Sequence, residues 1–330
     1  MSEKAQHIGY KKCQNGRIVV LEILGEHNEN REGIVDGRFA KMRCSKARVI
    51  RIYDMLNRLI EYDEAFGIRD KSFKYTVGEV VEPINRFDKD QDEVCTSGIH
   101  YFLTEKPAYN WKHKPENGLH KSWHYNGRMR ERCTYKNGKL YGPWESWHLN
   151  GQTRARYTYK NGRPHGMFES WYEDGQLEER YIYKNGRPHG LVESWHENGQ
   201  VCARCTYKDG KQDGLYESWH ENGQMWERLT FKNGEFDGLF EEWYPNGKMW
   251  ERRTFKNGNE DGMFEEWYKN GQIRKRCTYK NGYPHGLYKS WYENGQMFAR
   301  CTYKNGRIVS LRQIWNEDGS VNRKETGVYK

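Results

Sequence analysis

Cysteine and histidine side chains are the first candidates for chemistry in this sequence. Cys95 and His100 lie five positions apart, and Cys44 precedes them in the same region. Zinc sites do not use this spacing, and a lone Cys with a lone His among strand-forming residues is typical of packing. We therefore expect neither a catalytic residue nor a metal ligand here. An N-terminal enzyme that uses Cys95 and His100 is the alternative.

The remaining cysteines also predict structural thiols. Cys202 and Cys205 form a C-x-x-C pair, but residues three apart on a strand point to opposite faces. Cys133, Cys205, Cys277 and Cys301 recur at one position of a repeat, and even Cys277 and Cys301 would lie roughly 10 Å apart, beyond the reach of a disulfide. We expect all of them to be reduced.

Arginines and tryptophans that recur every 24 residues could bind nucleic acid, with guanidinium groups on phosphates and indoles on bases. The alternative is that a glutamate across the hairpin neutralises each arginine, which stabilises a sheet by about 0.2 to 1 kcal/mol per pair. Basic residues collect in the first and last copies, whereas the middle copies are nearly neutral, and this pattern argues against a nucleic-acid track. The arginines are Arg132, Arg156, Arg180, Arg204, Arg228, Arg252, Arg276 and Arg300, completed by Lys324.

A histidine column interchanges with tyrosine along the same repeat, which predicts stacking and hydrogen bonding instead of metal ligation. The column contains His124, His148, His196, His220, Tyr172, Tyr244, Tyr268 and Tyr292.

Composition excludes several classes of protein. The chain has 330 residues, a formal net charge of +9 and 15% aromatic residues. It contains no run of about 18 apolar residues, and its first residues lack a hydrophobic signal region. P-loop, H-E-x-x-H, G-x-S-x-G and kinase motifs are absent as well. We expect a non-enzymatic protein without a cofactor, made in the cytoplasm, neither secreted nor membrane-spanning.

Nine tryptophans at a constant spacing of 24 residues define a repeat over residues 111–326. Each copy carries two Asn-Gly or Asp-Gly pairs, which favour two-residue hairpin turns, so each copy should form two short strands. The prediction is a mainly β fold: an elongated, open, single-layer antiparallel meander of about eighteen strands. The tryptophans are Trp123, Trp147, Trp171, Trp195, Trp219, Trp243, Trp267, Trp291 and Trp315.

Counting outward from a two-residue loop at Asn222-Gly223 predicts the pairing. Glu217 then faces Arg228, Tyr216 faces Leu229, and Trp219 faces Trp226. This count places the tryptophans and the Glu/Arg pairs on one face. It places the aromatic column of Tyr216 and an aliphatic column on the other. The aliphatic column is Met129, Leu177, Val201, Met225, Met249, Ile273, Met297 and Val321.

The segment "YKNGRPHGLVESWHENGQ" has a Gly after Asn, a second Gly four residues on and a Trp five residues later. This pattern resembles MORN repeats of the variant type. The resemblance implies an elongated sheet used for protein contacts or, in some relatives, proposed for binding acidic lipid. Nine similar copies beside this N-terminal region also resemble the MORN-repeat proteins of marseillevirus-type giant viruses.

Residues 1–110 are predicted to form a separate small α+β domain. Strands are expected at 16–24, 47–55 and 73–81, and a helix at 55–66. The segments "KMRCSKARVIRIY" and "CTSGIHYFLTEKPAY" resemble an uncharacterised domain found beside pentapeptide repeats in giant-virus and phage-like proteins, for which no activity is established. Residues 327–330 form a tail.

The combined prediction is a non-enzymatic scaffold for protein–protein interaction. The resemblance implies a structural or virion-associated protein, of minor capsid type, from a large DNA virus, synthesised in the host cytoplasm, whose partners are viral structural proteins or a second copy. The alternative is a peripheral binder of anionic lipid through basic end copies and exposed aromatics. Specific recognition is expected at Trp226 and Trp250, which two copies alone possess, and where Lys121 and Lys289 replace the paired glutamate.

Overall fold

The computed structural model describes residues 6–90, 93–94 and 96–323, and its regular structure is almost entirely β-strand. The chain divides into two compact units, residues 1–163 with 173–175, and residues 164–172 with 176–330. A small N-terminal α+β domain belongs to the first unit. In each unit the repeats form consecutive antiparallel hairpin strands, as the turn pattern predicts.

The N-terminal domain is built around a six-stranded antiparallel sheet. The elements are β1 (Ile8–Lys12), β2 (Arg17–Ile23), β3 (Lys41–Cys44), β4 (Ala47–Asp54), β5 (Glu64–Phe66), β6 (Lys74–Thr76), β7 (Val80–Val81), β8 (Ile99–Phe102) and α1 (Glu105–Asn110), with a 3-10 turn at Gln14–Gly16. The strand order in the sheet is β3-β8-β1-β2-β4-β7, and β5 and β6 form a separate pair.

Strand β2 lies at the centre of this sheet because its apolar run is buried on both faces. Val19 and Leu21 pack in the larger core with Val49, Ile52 and other side chains of β3, β4 and β8. Ile18 and Val20 face the opposite side, where they pack against Tyr53 and its neighbours. A strand that is covered on both sides reads as a continuous apolar segment, which explains why the sequence located β2 and β4.

The helix predicted at residues 55–66 is wrong. The Asp54 carboxylate accepts hydrogen bonds from the backbone N–H groups of Leu56 at 2.8 Å and Asn57 at 3.0 Å. Side-chain to backbone bonds of this kind compete with helix formation. Leu56 and Leu59 are 77% and 91% exposed, so no apolar face exists for a helix to bury. The segment forms turns until β5 begins at Glu64, and the strand expected at 73–81 divides into β6 and β7.

Most copies contribute two strands to the repeat sheet. These strands are β9 (Gly118–Trp123), β10 (Met129–Lys136), β11 (Lys139–Trp147), β12 (Thr153–Lys160), β13 (Arg163–Pro164), β14 (Gly166–Trp171), β15 (Leu177–Lys184), β16 (Arg187–Trp195), β17 (Val201–Lys208), β18 (Lys211–Trp219), β19 (Met225–Lys232), β20 (Glu235–Trp243), β21 (Met249–Lys256), β22 (Asn259–Trp267), β23 (Ile273–Lys280), β24 (Tyr283–Pro284), β25 (Gly286–Trp291), β26 (Met297–Lys304), β27 (Arg307–Ile308) and β28 (Gln313–Ile314).

The loop of each Lys-Asn-Gly segment is the two-residue turn that the sequence predicts. Asn233 and Gly234 have φ values of +54° and +90°, and Lys232 pairs with Glu235 across them. Positive φ at both central residues defines a type I′ turn, which matches the twist of a hairpin. Asn and Gly are required here because both tolerate this backbone conformation.

The loop after each tryptophan is different, and the two-residue turn predicted there is wrong. In the loop Glu221–Gly223, positive φ is confined to Gly223. The His220 N–H donates to the Gln224 carbonyl at 2.8 Å, and the Gly223 N–H donates to the His220 carbonyl at 2.8 Å. This is a three-residue loop, and the residue opposite Trp219 is therefore Met225 instead of Trp226.

A β-bulge at Trp226 then restores the predicted register. Ser218 pairs with Glu227, Glu217 with Arg228 and Tyr216 with Leu229, as counted from the sequence. Directly opposed residues share a face, so the aliphatic column lies on the face of the tryptophans, not on the other face as predicted. The face with Trp219, Glu217 and Arg228 is called the tryptophan face below, and the face with Tyr216 and Ser218 is called the tyrosine face.

The ninth copy is shorter than the others. Its strands β27 and β28 have two residues each, and Trp315 meets Val321 through one isolated bridge. Ser310 stands where earlier copies have their second glycine, such as Gly238 with a φ of +117°. Serine does not readily adopt that conformation, and its hydroxyl instead accepts the Thr302 N–H at 2.8 Å.

Candidate functional site

The arginine column lies on the tryptophan face, where most of its guanidinium groups form ion pairs with glutamates. Arg228 approaches Glu217 at 3.1 Å and Glu241 at 3.8 Å, and its guanidinium lies 5.9 Å from the ring centre of Trp243 in the next copy. Corresponding ion pairs join Arg252 to Glu265, Arg276 to Glu265, Arg204 to Glu193, Arg180 to Glu169, Arg132 to Glu145 and Arg156 to Glu145. The register of all six predicted Glu/Arg pairs is confirmed.

The pairing of arginine with glutamate is lost in the eighth copy, where Lys289 replaces the glutamate. Lys289 lies directly opposite both Arg276 and Arg300, so three cationic side chains are adjacent there. Lys121 similarly faces Arg132 in the first copy. Lys324, predicted to complete the arginine column, lies outside the described residues.

Six members of the His/Tyr column connect their copy to the next through one backbone carbonyl, whereas His220 Nε2 has no hydrogen-bond partner among the described residues. The Tyr244 hydroxyl donates to the Trp267 carbonyl at 2.9 Å, and His196 Nε2 lies 2.9 Å from the Trp219 carbonyl. His124 makes the corresponding contact, at 2.8 Å from the Trp147 carbonyl. Histidine and tyrosine interchange because an imidazole N–H and a phenol O–H can each donate to this carbonyl, and this explains the sequence pattern without a metal.

A second set of loop contacts was missed by sequence reasoning. Asn198 Nδ2 donates to the carbonyl of Glu221 at 2.7 Å, and its Oδ1 accepts the N–H of Gln200 at 3.0 Å. Asn222, Asn246, Asn270 and Asn294 repeat this arrangement. The asparagine of this loop therefore serves to bond with the neighbouring loop, whereas the asparagine of the type I′ turn serves to adopt positive φ.

Trp226 and Trp250 occupy the bulge position of two consecutive copies. Their side chains are 47% and 37% exposed. Trp226 Nε1 donates to Glu242 Oε1 at 3.3 Å, and its ring stacks on His220 with centroids 5.6 Å apart. The ring of Trp250 lies beside that of Tyr244, with centroids 6.0 Å apart and the planes tilted by 36°. Contact with Glu242 places the indole of Trp226 on the tyrosine face.

Four glutamates follow one another across the strands beside these tryptophans. Glu227 pairs with Glu242, Glu242 with Glu251, and Glu251 with Glu266. In the preceding copies a glutamate of this row faces serine, as Glu179 faces Ser170 and Ser194, or the row holds serine and alanine, as in the pair of Ala203 and Ser218. Burial raises the pKa of Glu227 and of Glu242, and the neighbouring carboxylates raise the pKa of Glu242 further.

In the next copy an arginine replaces the bulge tryptophan. Arg274 Nη1 lies 2.6 Å from Glu266 Oε1, and its guanidinium lies 5.7 Å from the ring centre of Tyr268. The carboxylate and aromatic ring at this position therefore hold a guanidinium group of the same chain. Glu242 and Tyr244 are the equivalent residues one copy earlier, beside Trp250.

The buried thiols of both units are expected to be unreactive. Burial raises the pKa of Cys44 to about 12 and that of Cys277 to about 11. All seven described cysteines are free, and a protonated buried thiol is a poor nucleophile. Cys95 lies outside the described residues, so its predicted packing role stays a prediction. Among the described residues no group of three His, Cys, Asp or Glu side chains has metal-binding geometry.

His100 is held in its neutral form. Burial lowers its pKa to about 3, and the charges of Lys41 and Lys11 act in the same direction. Its Nε2 lies 2.9 Å from the Val94 carbonyl. The structure brings His100 close to three cationic side chains that sequence analysis did not single out, Lys11, Lys41 and Arg69.

Regular strand pairs joined by alternating loop types define a β-repeat protein. The MORN repeat variant family matches eight segments, which cover more than half of the chain, and the chain belongs to this family. The matched segments are 116–137, 140–161, 164–185, 188–209, 212–233, 236–257, 260–281 and 284–305. A family of unknown function (DUF5758) matches residues 1–108. The ninth predicted copy lies beyond the matched segments.

Other comparisons add little. No curated protein matches this chain. Two similar solved structures are "Crystal Structure of TcdB2-TccC3" (10% identity, 83% of this chain, 18% of that chain, TM-score 0.13) and "Crystal Structure of TcdB2-TccC3-Cdc42" (8%, 83%, 19%, 0.14). The chain thus spans less than a fifth of either, and these scores support no argument about the fold. In the described part of the chain no helix combines the length and hydropathy that crossing a bilayer requires.

Proposed function

We propose that this protein is a non-enzymatic scaffold that binds other proteins through the tyrosine face of its repeats. The observation that carries this proposal is the pair of exposed indoles at Trp226 and Trp250, beside the four-glutamate row. We call Trp226, Glu227, Glu242 and Trp250 the Trp/Glu patch. Because the equivalent position holds Arg274 in the next copy, the preferred partner is an extended protein segment that contains arginine.

Two physical arguments support this partner. Like charges directly opposite each other destabilise a sheet, so Glu227 and Glu242 lower stability where serine and alanine would not, whereas arginines form ion pairs with Glu251 and Glu266. A local arrangement that weakens the fold is expected where function requires it. Indole rings also attract cations, and exposed tryptophan and arginine dominate the binding energy of protein interfaces.

Calorimetric titration of the full chain with an oligoarginine peptide tests the patch. The double variant Trp226→Arg and Trp250→Arg removes both indoles and, at position 250, recreates the arrangement of Arg274 beside a glutamate and a tyrosine of the same chain. It should weaken binding by about tenfold or more, since hot-spot side chains exceed 1.4 kcal/mol. Glu221→Arg changes the net charge by the same amount at an exposed loop and should change affinity by less than about twofold. Equal weakening in both variants, or no binding by the unaltered chain, would refute the patch.

Self-association is the other protein contact that the tyrosine face could make. Sedimentation of the unaltered chain and of the Trp226→Arg and Trp250→Arg variant distinguishes the two. A dimer that the substitutions dissociate would mean that the patch binds a second copy. A monomer that binds the peptide supports a separate partner.

We further propose that this scaffold works as a structural or minor capsid-type component of a large DNA virus. The support is the resemblance of its repeats and N-terminal region to giant-virus proteins. Mass spectrometry of purified particles is the test, and particles that lack the protein would contradict the proposal.

A second candidate function is peripheral binding to anionic lipid. The specific support is the adjacency of Arg276, Lys289 and Arg300 across three strands, because juxtaposed cations attract an anionic surface. Flotation with vesicles that contain or lack phosphatidylserine tests this idea. Binding that requires the anionic lipid and is lost in Lys289→Glu would support it, and equal recovery with both vesicles would reject it.

A further inference from the structure

A cavity of about 400 Å³ lies in the N-terminal domain, between β1, β3, β8 and the loops near residues 67–75 and 83–85. Much of its wall is apolar and aromatic, formed by Phe73, Tyr75, Ile84, Phe102 and Trp111. Four cationic side chains also line it: Lys11, Lys12, Lys41 and Arg69. None of these features belongs to the repeat surface described above.

The lysines are fixed in place by neighbouring strands and rings. Lys11 Nζ donates to the His100 carbonyl at 3.0 Å and lies 5.7 Å from the ring centre of Tyr75. Lys12 Nζ donates to the Tyr109 carbonyl at 3.1 Å. Lys41 Nζ lies 5.4 Å from the ring centre of Trp111. An ammonium group has three donors, so one carbonyl contact leaves Lys11 and Lys12 able to donate to a ligand.

No acidic side chain of the described cavity wall is bonded to Lys11 or Lys12. Asp70 is the acidic residue of the described cavity wall, and its carboxylate accepts hydrogen bonds from the Ser72 hydroxyl at 2.6 Å and the Ser72 N–H at 2.9 Å. Those bonds fix it within its own loop. Burial lowers the pKa of Lys12 to about 8 and also lowers the pKa of Lys11, which shows that positive charge is costly here.

Buried charges are retained at such a cost when a partner neutralises them. We propose that the cavity binds a small organic anion whose carboxylate or phosphate group contacts Lys11, Lys12 and Lys41, and whose planar or apolar portion packs between Tyr75 and Trp111. This site would be independent of the scaffold function of the repeats. Its ligand class follows from a cationic cluster in an otherwise apolar and aromatic wall.

Phenyl phosphate is a suitable probe because it combines both features. Titration calorimetry on the full chain should detect its binding, whereas inorganic phosphate and phenol, which each supply one feature, should bind at least about tenfold more weakly. Equal affinity for inorganic phosphate would overturn the aromatic part of the proposal. Absence of phenyl phosphate binding at millimolar concentration would overturn the whole.

Lys11→Met and Lys41→Met locate the site. Each should weaken phenyl phosphate binding by about tenfold, as expected for loss of a charge-assisted hydrogen bond. Lys11→Met should also keep or raise the melting temperature, because it removes a desolvated charge, so lost binding cannot be ascribed to unfolding. Lys46→Met is the matched control, since Lys46 pairs with Glu82 outside the cavity, and it should leave affinity unchanged. Equal losses in all three variants would refute the site, whatever the outcome for the Trp/Glu patch.

Discussion

Glu217 and Arg228 lie directly opposite each other although the loop between their strands has three residues, not the two from which their pairing was counted. The extra loop residue shifts the register by one position, and the bulge at Trp226 shifts it back. One irregularity thus compensates for the other. The bulge also turns Trp226 towards Glu242 on the tyrosine face, where it becomes part of the Trp/Glu patch.

Replacing asparagine by glycine should distinguish the two kinds of loop. Asn233→Gly should change the free energy of unfolding little, because glycine adopts the required positive φ. Asn222→Gly removes the bonds to the Pro245 carbonyl and the Gln224 N–H and should destabilise by about 1 kcal/mol. Urea denaturation of both variants measures the difference. Equal effects would mean that the loop-to-loop bond contributes nothing.

Removing one tyrosine hydroxyl tests the link between copies. Tyr244→Phe keeps the ring beside Trp250 but removes the donor to the Trp267 carbonyl, and it should destabilise by about 1 kcal/mol because that half-buried carbonyl loses its partner. Tyr283→Phe is the control, since Tyr283 is 61% exposed. Thermal unfolding by circular dichroism compares them, and an unchanged Tyr244→Phe midpoint would contradict the role of the contact.

The glutamate row gives a pH dependence with a defined sign. The pKa of Glu242 is raised in the folded protein, so ionising it opposes folding at neutral pH, and this cost disappears as pH falls below the ordinary value of 4.5. Glu242→Ser should therefore raise the stability at neutral pH by about 0.5 kcal/mol, the cost of one opposed like-charge pair, and less at acidic pH.

Glu221→Ser serves as the control for this measurement because it removes the same charge at an exposed loop position. Melting temperatures of both variants at neutral and acidic pH decide the matter. A Glu242→Ser protein that is less stable than the unaltered chain at neutral pH would show that Glu242 contributes favourable contacts instead.

The repeat period predicts much of the fold but not the local register beside each tryptophan. Strand number, the type I′ turns and the Glu/Arg pairs follow from residue spacing, because a hairpin of fixed length repeats its own geometry. The bulge does not follow, since Trp226, Arg274 and Cys202 occupy the same position and share no residue type. Because the bulge was not predicted, the column of Met225 was assigned to the wrong face of the sheet.

The N-terminal domain was predicted less completely. The strands β2 and β4 can be predicted from their apolar composition. The segment 55–66 has an amphipathic sequence, yet it forms turns that Asp54 stabilises. The cationic cavity could not be found from spacing, because Lys11 and Lys41 are distant in sequence and are brought together by β1 and β3, which both pair with β8, while Arg69 reaches the cavity from a loop.

Ser310 has a consequence for assembly. The pairing groups of a full-length terminal strand would offer a template on which another chain could add, and a regular repeat is well suited to growing into fibres by that route. In the eighth copy the strand after this position begins at Gly286 itself, whereas β28 begins three residues beyond Ser310, at Gln313. Among the described residues, the ninth copy therefore offers fewer backbone groups for a further strand to pair with than a complete copy would.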